Sequence, residues 1–196
     1  MPDRNNVMEH RSTPAHDSLA PSRWIERFAH LIPEGARVLD VASGHGRHAR
    51  YFAQRRAKVL AVDRDAQALA SLHGIAGVDT RVMDLEIGAW PLGNAMFDAI
   101  VVVNYLHRPS CADLLAALTP DGALLYETFA VGNEAYGRPS NPDFLLCEDE
   151  LLDLVRGRLT IVAFEQGLSS DRDMAKVVQR IAAVGRARRW PPAVSL

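Results

Sequence analysis

Two glycines and a carboxylate stand close together in residues 38–49, which read VLDVASGHGRHA. Gly44 and Gly46 form a G-x-G pattern, which lets the backbone turn tightly and approach a ligand. Asp40 precedes them, and its carboxylate would repel a pyrophosphate but attract a positively charged group. Asp40 can also cap the turn by accepting backbone N–H groups. This stretch predicts a site for a nucleoside-type ligand that carries positive charge.

Further acids stand where predicted strands end. Asp63 lies about twenty residues beyond the glycine loop, the separation at which a carboxylate can accept both hydroxyls of a ribose. Asp84 ends a weaker strand, and Glu86 is close enough to take or share its role. The glycine loop and Asp63 together predict an adenosine-containing cofactor.

These residues require a framework of strands and helices. Alternating apolar segments predict an α/β fold, a single-domain Rossmann-like open sheet of mostly parallel strands with helices on both faces. A short link before the last strand favours an antiparallel seventh strand. A first helix is expected after Ser18 or Ser22. The other helices are expected at 46–56, 64–74, 111–122 and 148–157, and the strands at 37–42, 58–63, 78–86, 97–106, 123–129, 159–167 and 175–185.

Composition limits the class of protein. The chain has 196 residues and a formal net charge of -2, so we expect one domain at 18–185, a flexible arm at 1–17 and a tail at 186–196. This charge gives no general reason to expect nucleic acid or a membrane surface as a partner. Two cysteines without metal-ligand spacing fit a reducing compartment. We therefore expect a cytoplasmic monomer or homodimer without a metal.

The segment VLDVASGHGRHARYFA resembles the first motif of class I S-adenosylmethionine-dependent methyltransferases, and the later elements follow a similar order over about residues 20–185. Among these, the chain looks most like small bacterial proteins of the tellurite-resistance type. That likeness depends on LDVASGHGRHA and more loosely on GRPSNPDFLLCEDEL at 137–151. It implies a seven-stranded sheet, with S-adenosylmethionine as cofactor and S-adenosylhomocysteine as product.

The resemblance also implies which residues bind the cofactor. Expected at its methionine part are Asp40, Ala42, Ser43, Gly44, Gly46 and Asn104, with the last facing the carboxylate or the methyl group. Expected at the ribose and adenine are Asp63, Arg64, Asp84 and Leu85.

The substrate side is less well marked. His107 follows the fourth strand, where it can act as a general base or an orienting group. Tyr105 is expected to form a wall of the pocket or to pack in the core. Arg138 lies in the long loop 130–147 and can hold an anionic substrate. His45 and His48 have no ligand set around them, so we expect a structural role.

Methyl transfer is an in-line displacement that positioning and desolvation can drive without an acid–base pair. The sequence NYLHRP after the fourth strand lacks the Asn/Asp-Pro-Pro-aromatic run of DNA amino-methyltransferases, and no basic patch with aromatics indicates RNA. We therefore expect a small-molecule acceptor. Two alternatives remain: a cofactor-binding sensor or partner subunit without turnover, and a nicotinamide-dependent oxidoreductase, although the chain has no Tyr-x-x-x-Lys pair.

Overall fold

The computed structural model of the protein describes residues 20–170, 175–189 and 191. The predicted arm at 1–17, the candidate cap Ser18 and most of the tail beyond 189 lie outside the described residues.

Seven strands form one sheet in the order β3-β2-β1-β4-β5-β7-β6. Strands β1 to β5 pair in parallel, whereas β7 runs antiparallel to both β5 and β6. The predicted open sheet with an antiparallel seventh strand is thus confirmed. The strands are β1 (Arg37–Val41), β2 (Lys58–Asp63), β3 (Val78–Val82), β4 (Phe97–Val103), β5 (Leu118–Phe129), β6 (Leu159–Ser169) and β7 (Lys176–Gly185).

Short helices cover both faces of the sheet. Ser22 caps the first of them, and its hydroxyl oxygen accepts a hydrogen bond of 3.1 Å from the Trp24 N–H. One face carries α1 (Arg23–Phe28), α2 (Arg47–Gln54) and α3 (Ala66–Ala70). The other face carries α4 (Cys111–Ala116) and α5 (Glu150–Val155). Short 3-10 helices lie at Ala29–Leu31, Arg108–Ser110, Asn133–Ala135 and Pro142–Phe144.

The alternation of side chains along the strands divides the core into two layers. Val38 and Val101 pack beneath α1 and α2, while their neighbours Leu39 and Ile100 pack on the opposite face. All four are fully buried, and burial of each stabilises the fold by about 1.5–3 kcal/mol. The sheet is consequently a rigid frame that fixes the positions of the residues at its strand ends.

One predicted element was wrong. The segment 111–122 is not a single helix, because α4 ends at Ala116 and β5 already begins at Leu118. The cause is tertiary pairing: the Phe97 N–H donates to the Ala117 carbonyl at 2.8 Å, and Leu118 pairs with Phe97. The Pro-Asp-Gly segment, predicted to close the helix, instead forms an irregularity within β5.

Three other predicted elements end three or four residues early. Strand β3 stops at Val82, and α3 is followed by turns from residue 71 onward. Strand β4 stops at Val103 because Asn104 takes a left-handed conformation with φ of 59°.

The connection 83–96 between β3 and β4 consists of bends and turns without a helix. None of the helices within the described ranges is long and apolar enough to span a bilayer.

Candidate functional site

Two adjoining cavities lie at the carboxyl edge of the sheet, where ligands bind in open α/β folds. The first, which we call the loop cavity, has a volume of about 170 Å³ and follows the glycine loop after β1. The second, the acidic cavity, has a volume of about 200 Å³ and follows β2 and β3. Ala42 lines both, so the two together can hold one elongated ligand.

Asp40 is a buried carboxylate in the wall of the loop cavity. Its side chain is 1% exposed, and its Oδ2 has no hydrogen-bond partner in the part of the chain that the structure describes. Burial raises the pKa of Asp40 to about 7, although the Ala49 backbone N–H and the Arg47 charge counteract the rise. A buried carboxylate with one oxygen left without a hydrogen bond is costly, and a cationic ligand in this cavity would relieve that cost.

The loop takes conformations that most residues avoid. Gly44 and Gly46 have φ of 53° and 71°, and Ala42 and Asn104 have φ of 50° and 59°. A left-handed alanine or asparagine costs roughly 1–2 kcal/mol, and such strain is concentrated at functional sites. A Cβ on Gly46 would lie 2.4 Å from the Leu72 side chain, so Gly46 also allows close packing.

Asp63 joins the loop to the end of β2. Its Oδ2 accepts a hydrogen bond of 2.8 Å from the Gly44 N–H, and its Oδ1 accepts one of 2.9 Å from the Asp65 N–H. Each carboxylate oxygen has two lone pairs, so Asp63 can still accept from two ligand hydroxyls. The same carboxylate therefore fixes the loop and lines the acidic cavity.

The acidic cavity continues to Asp84 and Glu86. Asp84 Oδ1 accepts a hydrogen bond of 2.8 Å from the Glu86 N–H, and Arg64 lies 3.9 Å from Glu86 Oε2. Leu85 between them is almost buried. Tyr105 also lines this cavity, and burial together with Glu86 and Asp84 raises the pKa of its phenol. The Tyr105 hydroxyl thus stays protonated, as a hydrogen-bond donor.

A polar cluster beside the loop cavity anchors the first helix. The Ser22 N–H donates to His48 Nε2 at 3.2 Å, and the Ser22 hydroxyl donates to Glu127 Oε2 at 3.1 Å. Arg180 Nε lies 2.7 Å from the same Glu127 oxygen. His48 therefore uses Nε2 as an acceptor and carries its proton on Nδ1 when neutral. It joins α2 to α1.

His107 takes part in a hydrogen-bond relay. The Ser110 hydroxyl donates its single proton to the Leu85 carbonyl at 2.9 Å. It must therefore accept from His107 Nδ1, which lies 2.6 Å away. When neutral, His107 thus carries its proton on Nδ1 and leaves the Nε2 lone pair available as a base. The relay ties this histidine to a residue of the acidic cavity.

Arg138 lies in the loop after β5, which Arg108 holds in place. The Arg108 guanidinium donates to both carboxylate oxygens of Glu150, at 2.7 and 2.9 Å, and to the carbonyls of Asp143 and Leu145, both at 2.8 Å. These bonds fix residues 143–150 next to the connection that carries Tyr105 and His107. Arg138 itself is exposed.

The structure brings the predicted cofactor residues together in these two cavities. Lining the loop cavity are Asp40, Ala42, Ser43, Gly44, Gly46 and Asn104, and lining the acidic cavity are Ala42, Asp63, Arg64, Asp84 and Leu85. Tyr105 joins the second group, whereas neither His107 nor Arg138 lines either cavity. Lining residues that received no binding role from the sequence are His45, Arg47, His48, Met83 and Val103. These residues lie directly beside the glycines or at strand ends, and that position in the sequence could have identified them as lining residues.

Comparison with known proteins gives consistent results. Residues 38–122 match a methyltransferase domain family. A ubiquinone biosynthesis O-methyltransferase from Leptothrix cholodnii is 34% identical over 100 residues, covering 48% of this chain and 42% of that protein. A tRNA U34 carboxymethyltransferase from Chromohalobacter salexigens is 35% identical over 127 residues, covering 58% and 38%. The chain thus spans less than half the length of these two relatives.

Solved structures share the fold. TehB from Haemophilus influenzae superimposes with a TM-score of 0.67 at 16% identity, covering 83% of this chain and 61% of that one. The 1,6-didemethyltoxoflavin-N1-methyltransferase from Burkholderia thailandensis, solved with S-adenosylhomocysteine, gives a TM-score of 0.61 at 23% identity, covering 83% and 76%.

Proposed function

Because the chain belongs to the class I S-adenosylmethionine-dependent methyltransferases, we propose that it transfers the methyl group of S-adenosylmethionine to a small-molecule acceptor. The observation that carries this proposal is the buried Asp40 carboxylate in the loop cavity, next to a second cavity lined by acids. Bound there, S-adenosylmethionine supplies an activated methyl group on a sulfonium.

The residues of the loop cavity fit the methionine part of this cofactor. Asp40 offers a carboxylate oxygen without a partner in the described chain, which suits an ammonium group. A Cβ on Gly44 would meet nothing within 4 Å, so the loop leaves open space there. Ser43, with a buried hydroxyl that also has no partner in the described residues, can donate or accept. Asn104 is the proposed contact to the carboxylate or the methyl group.

The residues of the acidic cavity fit the adenosine part. Asp63 is the proposed acceptor from the ribose hydroxyls, because its two oxygens retain lone pairs beyond those used by Gly44 and Asp65. Asp84 is the proposed acceptor from the adenine amino group, and Arg64 and Leu85 would flank the ring. Glu86 lines the same cavity and can share the role of Asp84.

We assign the acceptor side to the surface between β4 and the loop after β5. The tethers from Arg108 keep this loop beside Tyr105 and His107. The loop exposes large apolar side chains that an organic acceptor could contact, namely Val131, Tyr136 and Phe144. One relative is a ubiquinone biosynthesis O-methyltransferase and another is a tRNA U34 carboxymethyltransferase. A nucleic acid is therefore the class of acceptor that competes with a small molecule.

His107 is the proposed general base for an acceptor that must lose a proton. Its Nε2 lone pair is available because Ser110 holds the proton on Nδ1. Ser110 is then a positioning residue. Arg138 is the proposed partner of an anionic group on the acceptor. An acceptor that is already an anion, such as a thiolate, would need Arg138 more than His107.

The cofactor proposal is tested by calorimetric titration of the protein with S-adenosylhomocysteine and, separately, with NADH. We expect micromolar binding of S-adenosylhomocysteine, its loss in Asp63→Ala, and no binding of NADH. Binding of NADH alone would overturn the proposal in favour of an oxidoreductase.

Transfer is tested with a radiolabelled methyl donor and two acceptor panels, one of phenols, thiols and small anions and one of tRNA. Label on a small molecule supports the proposal, and label on tRNA alone overturns its acceptor class. Cofactor binding without transfer to either panel would support the sensor alternative.

We further propose a cytoplasmic location, since Cys111 and Cys147 are both free thiols.

A further inference from the structure

A second concave site lies at the opposite, amino edge of the sheet. This cavity has a volume of about 870 Å³ and is lined where β1, β2, β3 and β4 begin. We call it the basic cleft, since Arg37, Lys58, His73 and Arg81 line it and Asp79 is its one acidic lining residue.

The cleft arises from a local feature of the fold. The connection 83–96 between β3 and β4 forms only bends and turns, so no helix of this crossover covers the sheet beside β2 and β3. The face left open includes Leu60 and its ladder partner Asp79, with Ala95 and Phe97 along its side. A parallel sheet normally has both faces covered, so this concave surface is an exception within the fold.

Strand register places the cationic side chains on one face. Arg37 of β1 pairs with Lys58 of β2 in the parallel ladder, so their side chains lie next to each other on the same face. Arg81 of β3 pairs with Val62, four residues along β2, which is roughly 13 Å from Lys58. Like charges side by side destabilise a sheet unless an anion lies between them.

Four arginines elsewhere in the protein have a carboxylate partner close by. Arg27, Arg56, Arg108 and Arg180 each pair with a glutamate within 2.9 Å. By contrast, no ion pair involves Arg37, Lys58 or Arg81 among residues 20–170, 175–189 and 191.

Arg37 is also held in position. Its guanidinium lies 5.6 Å from the centroid of the Phe97 ring, and its backbone N–H donates to Asp98 Oδ2 at 2.8 Å. The Asp98 carboxylate is thus engaged with the backbone rather than paired with the guanidinium.

We propose that the basic cleft binds a ligand with two or more phosphate groups, which Arg37 and Lys58 contact at one end and Arg81 at the other. An arginine beside a lysine suits phosphate oxygens, and the spread of charge over roughly 13 Å exceeds what a single phosphate can span. Such phosphates come from a free polyphosphate compound or from the backbone of a nucleic-acid strand. The inference does not depend on the proposed methyl transfer.

The test uses inorganic tripolyphosphate and a short single-stranded RNA as separate probes, titrated at low salt into the protein and into Lys58→Gln/Arg81→Gln. We expect the double variant to bind roughly tenfold more weakly, with a salt dependence reduced by about one ion per lost contact. Binding of tripolyphosphate alone assigns a compact polyphosphate ligand, and binding of RNA with a steep salt dependence assigns a nucleic-acid backbone.

The matched control is Arg55→Gln/Arg156→Gln, which removes the same charge from exposed positions outside the cleft. Unchanged titration with S-adenosylhomocysteine and an unchanged thermal midpoint would show that the cleft variant is folded. The proposal is overturned if neither probe binds at millimolar concentration, if both double variants weaken binding equally, or if citrate binds as tightly as tripolyphosphate.

Discussion

At the carboxyl edge of the sheet the cavities are lined by Asp40, Asp63, Asp84 and Glu86, whereas the cleft at the amino edge is lined by Arg37, Lys58 and Arg81. The cleft begins at the amino ends of the same strands and extends along the open face to Arg81, one residue before β3 ends. A formal net charge of -2 for the whole chain conceals this division. Local charge in a parallel sheet thus depends on which strand ends meet, and bulk charge is a poor guide to partners.

The two edges also differ in how their charges are held. Asp63 accepts two backbone hydrogen bonds, and Asp40 is a buried residue in the wall of the loop cavity. Arg37, Lys58 and Arg81 are exposed, on an open sheet face. The carboxyl edge is therefore preorganised for one small ligand, while the amino edge offers a weaker, salt-sensitive surface.

The largest expected effect is the loss of cofactor affinity in Asp63→Ala. The substitution removes the proposed ribose acceptor and leaves the N–H groups of Gly44 and Asp65 without their partner. We expect S-adenosylhomocysteine to bind a hundredfold more weakly or worse, about 3 kcal/mol, measured by calorimetry. Asp79→Ala, which removes a carboxylate from the amino edge, is the matched control and should leave the affinity unchanged. Equal losses in both would mean that the two edges are not independent.

The sequence predicted the carboxyl edge well because its information is local. Strand β2 was predicted with its observed bounds, Lys58–Asp63, since a buried apolar run ends there in an acid. The same holds for the glycine loop, because Gly44 and Gly46 are the residue type that readily takes the left-handed backbone conformation observed there. By contrast, the end of α4 depends on Leu118 pairing with Phe97, and no helical propensity reports on such a contact.

The amino edge was not predicted, because its charges are scattered along the chain. Arg37, Lys58 and Arg81 come together only through strand register, and the connection 83–96 had to be seen to lack a covering helix. The relay from His107 through Ser110 likewise reaches Leu85, which lies 25 residues earlier than Ser110. Sequence patterns identify residues that act through the backbone nearby, whereas partners distant in the chain require the fold.

The next largest effect separates the two glycines of the loop. Gly46→Ala forces a positive φ on alanine and places its Cβ 2.4 Å from the buried Leu72 side chain. Gly44→Ala meets only the conformational cost. We expect losses of about 3 kcal/mol for Gly46→Ala and about 1 kcal/mol for Gly44→Ala, measured by denaturant unfolding. Equal losses would contradict the packing role assigned to Gly46.

A smaller effect concerns the pH dependence of cofactor affinity. In the empty protein Asp40 has a pKa of about 7, so the carboxyl is largely protonated at pH 6 and ionised at pH 8. A ligand ammonium favours the ionised form, so affinity should fall roughly tenfold between pH 8 and pH 6. Calorimetry at both values in two buffers of different ionisation enthalpy should also detect proton release on binding near pH 6.

The same group has the opposite effect on stability. The ordinary pKa of 3.8 in the unfolded chain lies below the folded value of about 7, so the folded state holds the extra proton between these values. The free energy of unfolding should therefore decrease as pH rises from about 4 to 7. Asp40→Asn should remove this part of the pH dependence, whereas the exposed carboxylate variant Asp79→Asn should retain it. A flat affinity profile in the wild type would show that Asp40 does not face the cationic part of the ligand.

The most local expected effect is that of Ser110→Ala, which separates the acidic cavity from His107. The variant leaves the Leu85 carbonyl without its donor and His107 Nδ1 without its acceptor, so we expect a loss of about 1–2 kcal/mol in unfolding free energy. Nitrogen-15 NMR of the histidine ring should show the Nδ1–H form in the wild type and a mixture of tautomers in the variant. Ser71→Ala, which removes an exposed hydroxyl bonded to the Ala68 carbonyl, is the control and should leave the His107 signals unchanged. A wild-type ring protonated on Nε2 instead would remove the base that methyl transfer to a protonated acceptor needs, and it would direct attention to acceptors that Arg138 could bind as anions.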